Sequence, residues 1–133
     1  MTTKGVFTHI RHVDFEELEA VGPAKRFAQR LLDRDSGAES CMVSYIQTPT
    51  GGGSPEGRHI HPFDQIFFVV SGQMLIEVDG TTSEVSAGTL VVFPKGVPHR
   101  NWNEGTEPTV HLAFNVPLPD PNEAFAVHVE EVP

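Results

Sequence analysis

Two histidines, His59 and His61, stand two residues apart, and a third, His99, follows an apolar run and a proline-rich turn. On an extended strand, side chains two apart project to the same face, so His59 and His61 offer two neutral ring nitrogens to one point. Neutral imidazole is the commonest protein ligand for a metal ion. A strand pair needs a third donor from elsewhere in the fold, and the turn Pro94-Lys95-Gly96-Val97-Pro98 can swing His99 back over the sheet. The two prolines stiffen that turn and lower the entropy lost in holding a ligand there. By itself a His-x-His pair also fits surface or hydrogen-bonded histidines, so the surrounding frame decides.

Gly53, His59, His61 and Gly72 fall at the spacing G-x5-H-x-H-x3-E-x6-G, with Gln65 where the glutamate would stand. Gly88, Pro94, Gly96, His99 and Asn103 complete G-x5-P-x-G-x2-H-x3-N. These are the two motifs of the cupin superfamily, which the chain resembles over residues 53–103. Gly72 and Gly88 stand where the chain must turn sharply between strands, a place that favours a residue without Cβ. The resemblance implies a jelly-roll β-barrel that binds one divalent metal ion through His59, His61, Gln65 and His99. Zinc, iron, nickel and manganese all suit three nitrogens and one oxygen.

Gln65 is the informative departure. A glutamate ligand would bring a negative charge, whereas an amide oxygen leaves the cation at its full charge, strengthening its pull on a bound carbonyl or water. The alternatives for Gln65 are a hydrogen bond to a ligand water or a site that has decayed. Cupins with glutamine here include enzymes that linearise unsaturated uronates and certain aromatic polyketide cyclases, both Lewis-acid catalysts. Three-histidine cupins also include iron(II) dioxygenases. The resemblance therefore implies a metalloenzyme performing isomerisation, cyclisation or lyase chemistry on a small oxygen-rich substrate. Its alternatives are an iron(II) dioxygenase and a non-catalytic small-molecule-binding cupin.

His111 lies in a run where Val110, Leu112 and Phe114 alternate with His111, Ala113 and Asn115. It stands either in the cavity, as a further ligand or general acid/base, or on a solvent face. The uronate enzymes are expected to carry an aspartate on this strand, and residues 109–116 contain none. Tyr45, the sole tyrosine, either points its hydroxyl at the substrate or packs as a strand aromatic. Phe67, Met74 and Phe93 are candidate pocket-lining residues within the barrel filling. By parity Arg58, Arg100 and Trp102 point away from the metal-facing row. His9, His12 and His128 have no spacing partners and read as surface residues; Cys41 reads as a small apolar residue.

The elements that must position these residues are short strands. Apolar runs at residues 26–32, 41–47, 66–70, 74–78, 82–85, 89–93, 109–114 and 125–129 are separated by turn residues, predicting eight or nine strands. Asp79-Gly80 is a two-residue hairpin signal. The one helical signal is a turn or two at residues 15–20, opened by an Asp14/Glu17 capping pattern and stopped by Gly22-Pro23. An all-β sandwich, jelly roll or barrel follows. At 133 residues one domain spanning residues 1–133 is the expectation. A single cysteine excludes an intramolecular disulfide. With 18 acidic against 9 basic residues and a net charge of −9, nucleic acid has nothing to bind. The sequence contains neither a membrane-length apolar run nor the apolar core of a signal peptide, so a cytoplasmic location is expected. Exposed sheet edges predict a homodimer, with residues 6–10 or 125–129 adding strands across the interface.

Overall fold

The computed structural model describes residues 9–37 and 39–130; most of the segment 6–10, expected at a dimer edge, lies outside them. Helix α1 (Phe15–Val21) is opened by Asp14, whose carboxylate accepts the Glu17 amide at 3.0 Å, and closed by Gly22 at φ 80°. None of its residues is buried. Its Phe15 ring meets Tyr45 edge-on, laying the helix on the outside of a sheet.

Among the described residues ten strands follow: β1 (Phe27–Leu32), β2 (Met42–Thr48), β3 (His59–Ile60), β4 (Asp64–Ser71), β5 (Gln73–Val78), β6 (Thr81–Ser86), β7 (Leu90–Phe93), β8 (His99–Trp102), β9 (Thr109–Val116) and β10 (Val127–His128). They form two five-stranded sheets in the orders β1-β2-β9-β4-β7 and β10-β3-β8-β5-β6, with every pairing antiparallel. This is the all-β jelly roll that the turn spacing predicts. Phe67, Val69, Met74, Ile76, Val91, Phe93 and Ala113 fill the space between the sheets. Asp79 and Gly80, both at positive φ, make the tight β5–β6 turn.

The structure adds to the strand reading in three places, and all three bear on the site. β3 and β8 are additional strands; short and polar, they lack the apolar alternation that marks a strand in sequence. The run at 125–129 contributes only Val127–His128, which pairs with β3 of its own chain. Finally, β9 buries the face that carries its polar residues: Thr109, His111, Ala113 and Asn115 are buried, whereas Val110, Leu112 and Phe114 are half-buried on the outside.

Candidate metal centre

β3 and β8 pair through a single register position, His59 opposite His99. His61 follows β3 directly, and its backbone carbonyl accepts the Gly96 amide at 3.0 Å, tying the stretch after β3 to the turn that delivers His99. The three rings consequently converge, with centroids 4.4 to 4.9 Å apart, and one ring nitrogen from each lies within 4.8 Å of the others. All three histidines are buried.

Their tautomers follow from their partners. His59 Nδ1 donates to the Gly57 carbonyl at 2.6 Å, His61 Nδ1 to the Phe125 carbonyl at 2.8 Å and His99 Nδ1 to the Val97 carbonyl at 3.0 Å. A carbonyl oxygen only accepts, so each proton sits on Nδ1 and each Nε2 keeps its lone pair. The Nε2 atoms of His59 and His61 then face one another at 3.1 Å with no proton between them. His99 Nε2 is buried without a hydrogen-bond partner. Gln65 on β4 donates its amide N–H to Asn115 Oδ1 at 3.0 Å, which turns its Oε1 toward His61 Nε2 at 3.2 Å. Four lone-pair donors thus surround one small volume. Neutral polar atoms do not assemble this way without an electron-pair acceptor among them, so the donor set fits a divalent cation.

Burial favours the unprotonated form of His61 and His99. Desolvation lowers the pKa of His61, and the neighbouring His59 lowers it further against the opposing hydrogen bond to Phe125. Desolvation likewise pulls His99 down to about 4. Phe63 stacks on His61 at 4.6 Å and Phe93 on His99 at 4.4 Å, fixing two ring planes with apolar surface.

Behind the second sheet, Glu77 of β5 is buried and bonded to two arginines, Arg58 and Arg100, the latter at 2.7 Å. Arg58 precedes His59 and Arg100 follows His99, so one carboxylate fastens both histidine-bearing strands from outside. Arg100 also lies 4.7 Å above the Trp102 ring. Parity therefore places Arg58, Arg100 and Trp102 correctly, although sequence alone did not indicate the role of Glu77 or Asn115. The signal for Glu77 is a charge in an otherwise apolar strand, and for Asn115 its parity with His111.

A cavity of about 220 Å³ opens beside the histidines, and His59, His61, Gln65, Phe67 and His111 line it. His111 is 2% exposed, and its ring lies 4.0 Å from that of Phe67. Met74 and Phe93, anticipated as pocket walls, are spent in the core and do not line this cavity. Tyr45 does not face it either. β2 turns Met42, Ser44, Ile46 and Thr48 inward, leaving Tyr45 on the opposite face, where its ring packs edge-on against Phe15 and Phe27. Of the two roles open to Tyr45, the structure shows the packed aromatic. His128 is exposed and donates from Nδ1 to the Glu56 carbonyl, apart from the cluster.

The family model described as "Cupin domain" matches residues 45–115, just over half of the chain. Among curated proteins, Germin-like protein 9-1 of Oryza sativa subsp. japonica is 36% identical over 81 residues, 55% of this chain and 32% of that protein. The rhicadhesin receptor of Pisum sativum is 34% identical over 95 residues, 66% of this chain and 44% of that protein. The chain thus spans less than half the length of either relative. Among solved structures, the polyketide cyclase RemF from Streptomyces resistomycificus superposes with a TM-score of 0.68 over 84% of this chain and 75% of that one, at 22% identity. The protein TT1209 from Thermus thermophilus gives 0.67 over 83% of this chain and 100% of its own, at 20% identity. Likenesses at this level of identity show a shared fold.

Proposed function

The chain belongs to the cupin family, and from that membership we propose that His59, His61 and His99, with Gln65, hold one divalent transition metal in a metalloenzyme for a small oxygen-rich substrate. The observation that carries this reading is the tautomer set: three Nε2 lone pairs and one amide oxygen converge, and each imidazole proton is committed to a backbone carbonyl. When bound there, the ion supplies Lewis-acid polarisation of a substrate oxygen, undiminished by any carboxylate ligand. Isomerisation, cyclisation or lyase chemistry follows from that donor set, and the shared fold with a polyketide cyclase is consistent with it. The protein's part is to fix the donors: Asn115 aims Gln65, while Phe63 and Phe93 hold the rings and keep water from behind them. We further propose that the protein works as a homodimer.

Metal analysis of freshly purified protein tests the site. The expected result is close to one equivalent of zinc, iron, nickel or manganese in the wild type and loss of retention in His99→Ala. No metal in the wild type overturns the reading in favour of a non-catalytic binding protein. Turnover of a polyketide-like or keto-enol substrate without oxygen, on zinc- or nickel-loaded protein, supports Lewis-acid chemistry. A strict need for iron and dioxygen replaces it with oxygenation.

A further inference from the structure

We propose that the end of the cavity away from the three histidines is an anion site, where Arg26 and His111 hold a carboxylate on the substrate. The orientation of that substrate, with its oxygen-rich end toward the metal, rests on the reading above; the anion site itself does not.

His111 is buried, lines the cavity, and has no hydrogen-bond partner at either ring nitrogen. A buried polar group left unpaired is costly, and here both nitrogens of one ring are left so. Thr109 Oγ1, two residues along the same face of β9, is a further buried atom without a partner. Orphaned polarity is therefore concentrated at this end of β9. A ligand oxygen in the cavity can accept the one N–H of the neutral His111 ring.

Arg26, just before β1, lines the same cavity. Its positive charge reaches His111 and, after burial, is the second cause holding that imidazole neutral, with a pKa near 3. Among the described residues Arg26 forms no ion pair. The other arginine on this wall, Arg30, is engaged with Ser44 at 3.2 Å and Asp33 at 4.0 Å. The acidic side chain lining the cavity, Glu56, belongs to the histidine end, where its charge acts on His61.

The register gives the ligand its shape. Asn115 pairs with Gln65 at the metal end, and Ile46 pairs with His111 four residues farther along β9, roughly 13 Å at strand rise. Ile46, Phe67 and Ala113 line the stretch between. An apolar or aromatic body with chelating oxygens at one end and a carboxylate at the other matches this sequence of surfaces.

Dihydrocaffeate, a catechol with a propanoate arm, and its primary amide are matched probes. In calorimetry on zinc-loaded protein the acid should bind about tenfold more tightly than the amide, the worth of a charge-assisted hydrogen bond. In Arg26→Gln, an exposed position whose change disturbs no packing, the two should bind alike. In metal-free protein, the ring-nitrogen NMR signals of His111 should shift with the acid and not with the amide. Equal binding of acid and amide by zinc-loaded wild type, or His111 signals unmoved at saturation, overturns the anion site and leaves internal water as the partner of His111. Failure to retain zinc while His111 still responds to the acid overturns the metal centre and leaves the anion site standing.

Discussion

Gln65 reaches the histidine cluster only because Asn115 holds the other end of its amide. If Asn115 is replaced by leucine, the amide loses that anchor, and metal affinity should fall about 10- to 100-fold, as for other groups that orient a ligand. Competition with a chromophoric chelator measures this, and an unchanged affinity would remove Asn115 from the account. His111 makes a separate prediction. Its pKa in the folded protein is about 3, against 6.5 for the free side chain. Between those values the unfolded chain binds a proton that the folded chain refuses, so stability declines as pH falls from about 6.5 toward 3. In metal-free protein, His111→Leu should lose part of that decline, which urea unfolding at about pH 7 and about pH 5 can compare. At this scale the three histidines and Gln65 were legible because their spacing matches two rigid motifs. Asn115 was not, since a glutamine's orienting partner leaves no trace in spacing. Tyr45 was ambiguous because its facing depends on strand parity.

The strands that carry His59 and His99 are short, and they are fastened from behind. Glu77, its side chain 7% exposed, takes Arg58 on one side and Arg100 on the other. Glu77→Gln removes the charge that both arginines meet, at a cost of about 2–3 kcal/mol once the partial exposure of Arg100 is discounted. Because β3 and β8 meet at one position only, the same change should also weaken metal retention. A loss of stability with metal affinity intact would reduce the carboxylate to a purely structural tie. Two turns make a paired prediction. Gly72 and Gly88 share nearly the same backbone angle, φ 82° and 86°. A Cβ at Gly72 would meet the Pro108 carbonyl at 2.7 Å, while one at Gly88 meets nothing within 4 Å. Thermal unfolding should therefore show Gly88→Ala costing about 1 kcal/mol and Gly72→Ala more than about 2. The longer strands and the β5–β6 hairpin could be read from apolar runs and turn chemistry. β3 and β8 could not, because their sequences, His59-Ile60 and His99-Arg100-Asn101-Trp102, are chosen for chemistry and ion pairing rather than for burial.

On the outside of the first sheet, Ile66, Phe68 and Val70 of β4 lie beside Leu90 and Val92 of β7, an apolar patch bordered by the exposed Asp64 at the start of β4. Phe68, Val70, Leu90 and Val92 are between 39% and 60% exposed. With no charge in this patch, the same surface can meet itself across a two-fold axis without opposing like charges, which suits the proposed homodimer better than the short edge strand β10 does. Val92→Glu should convert a dimer seen by sedimentation into a monomer and leave metal content unchanged; a wild-type monomer would contradict the assembly. No helix among the described residues is long and apolar enough to cross a membrane. The inversion of β9, apolar outward and polar inward, is a property of the whole molecule. No single strand reveals that a cavity needs its polar residues more than the core needs its apolar ones.

The Phe125 carbonyl holds the His61 proton, and the Phe125 ring packs on both His61 and Phe63 from a half-exposed position. A protease that nicks the connection at residues 117–124 would leave both sheets nearly whole yet release the anchor of one imidazole. Such clipped material would keep most of the fold while losing the ring geometry that the proposed metal site requires.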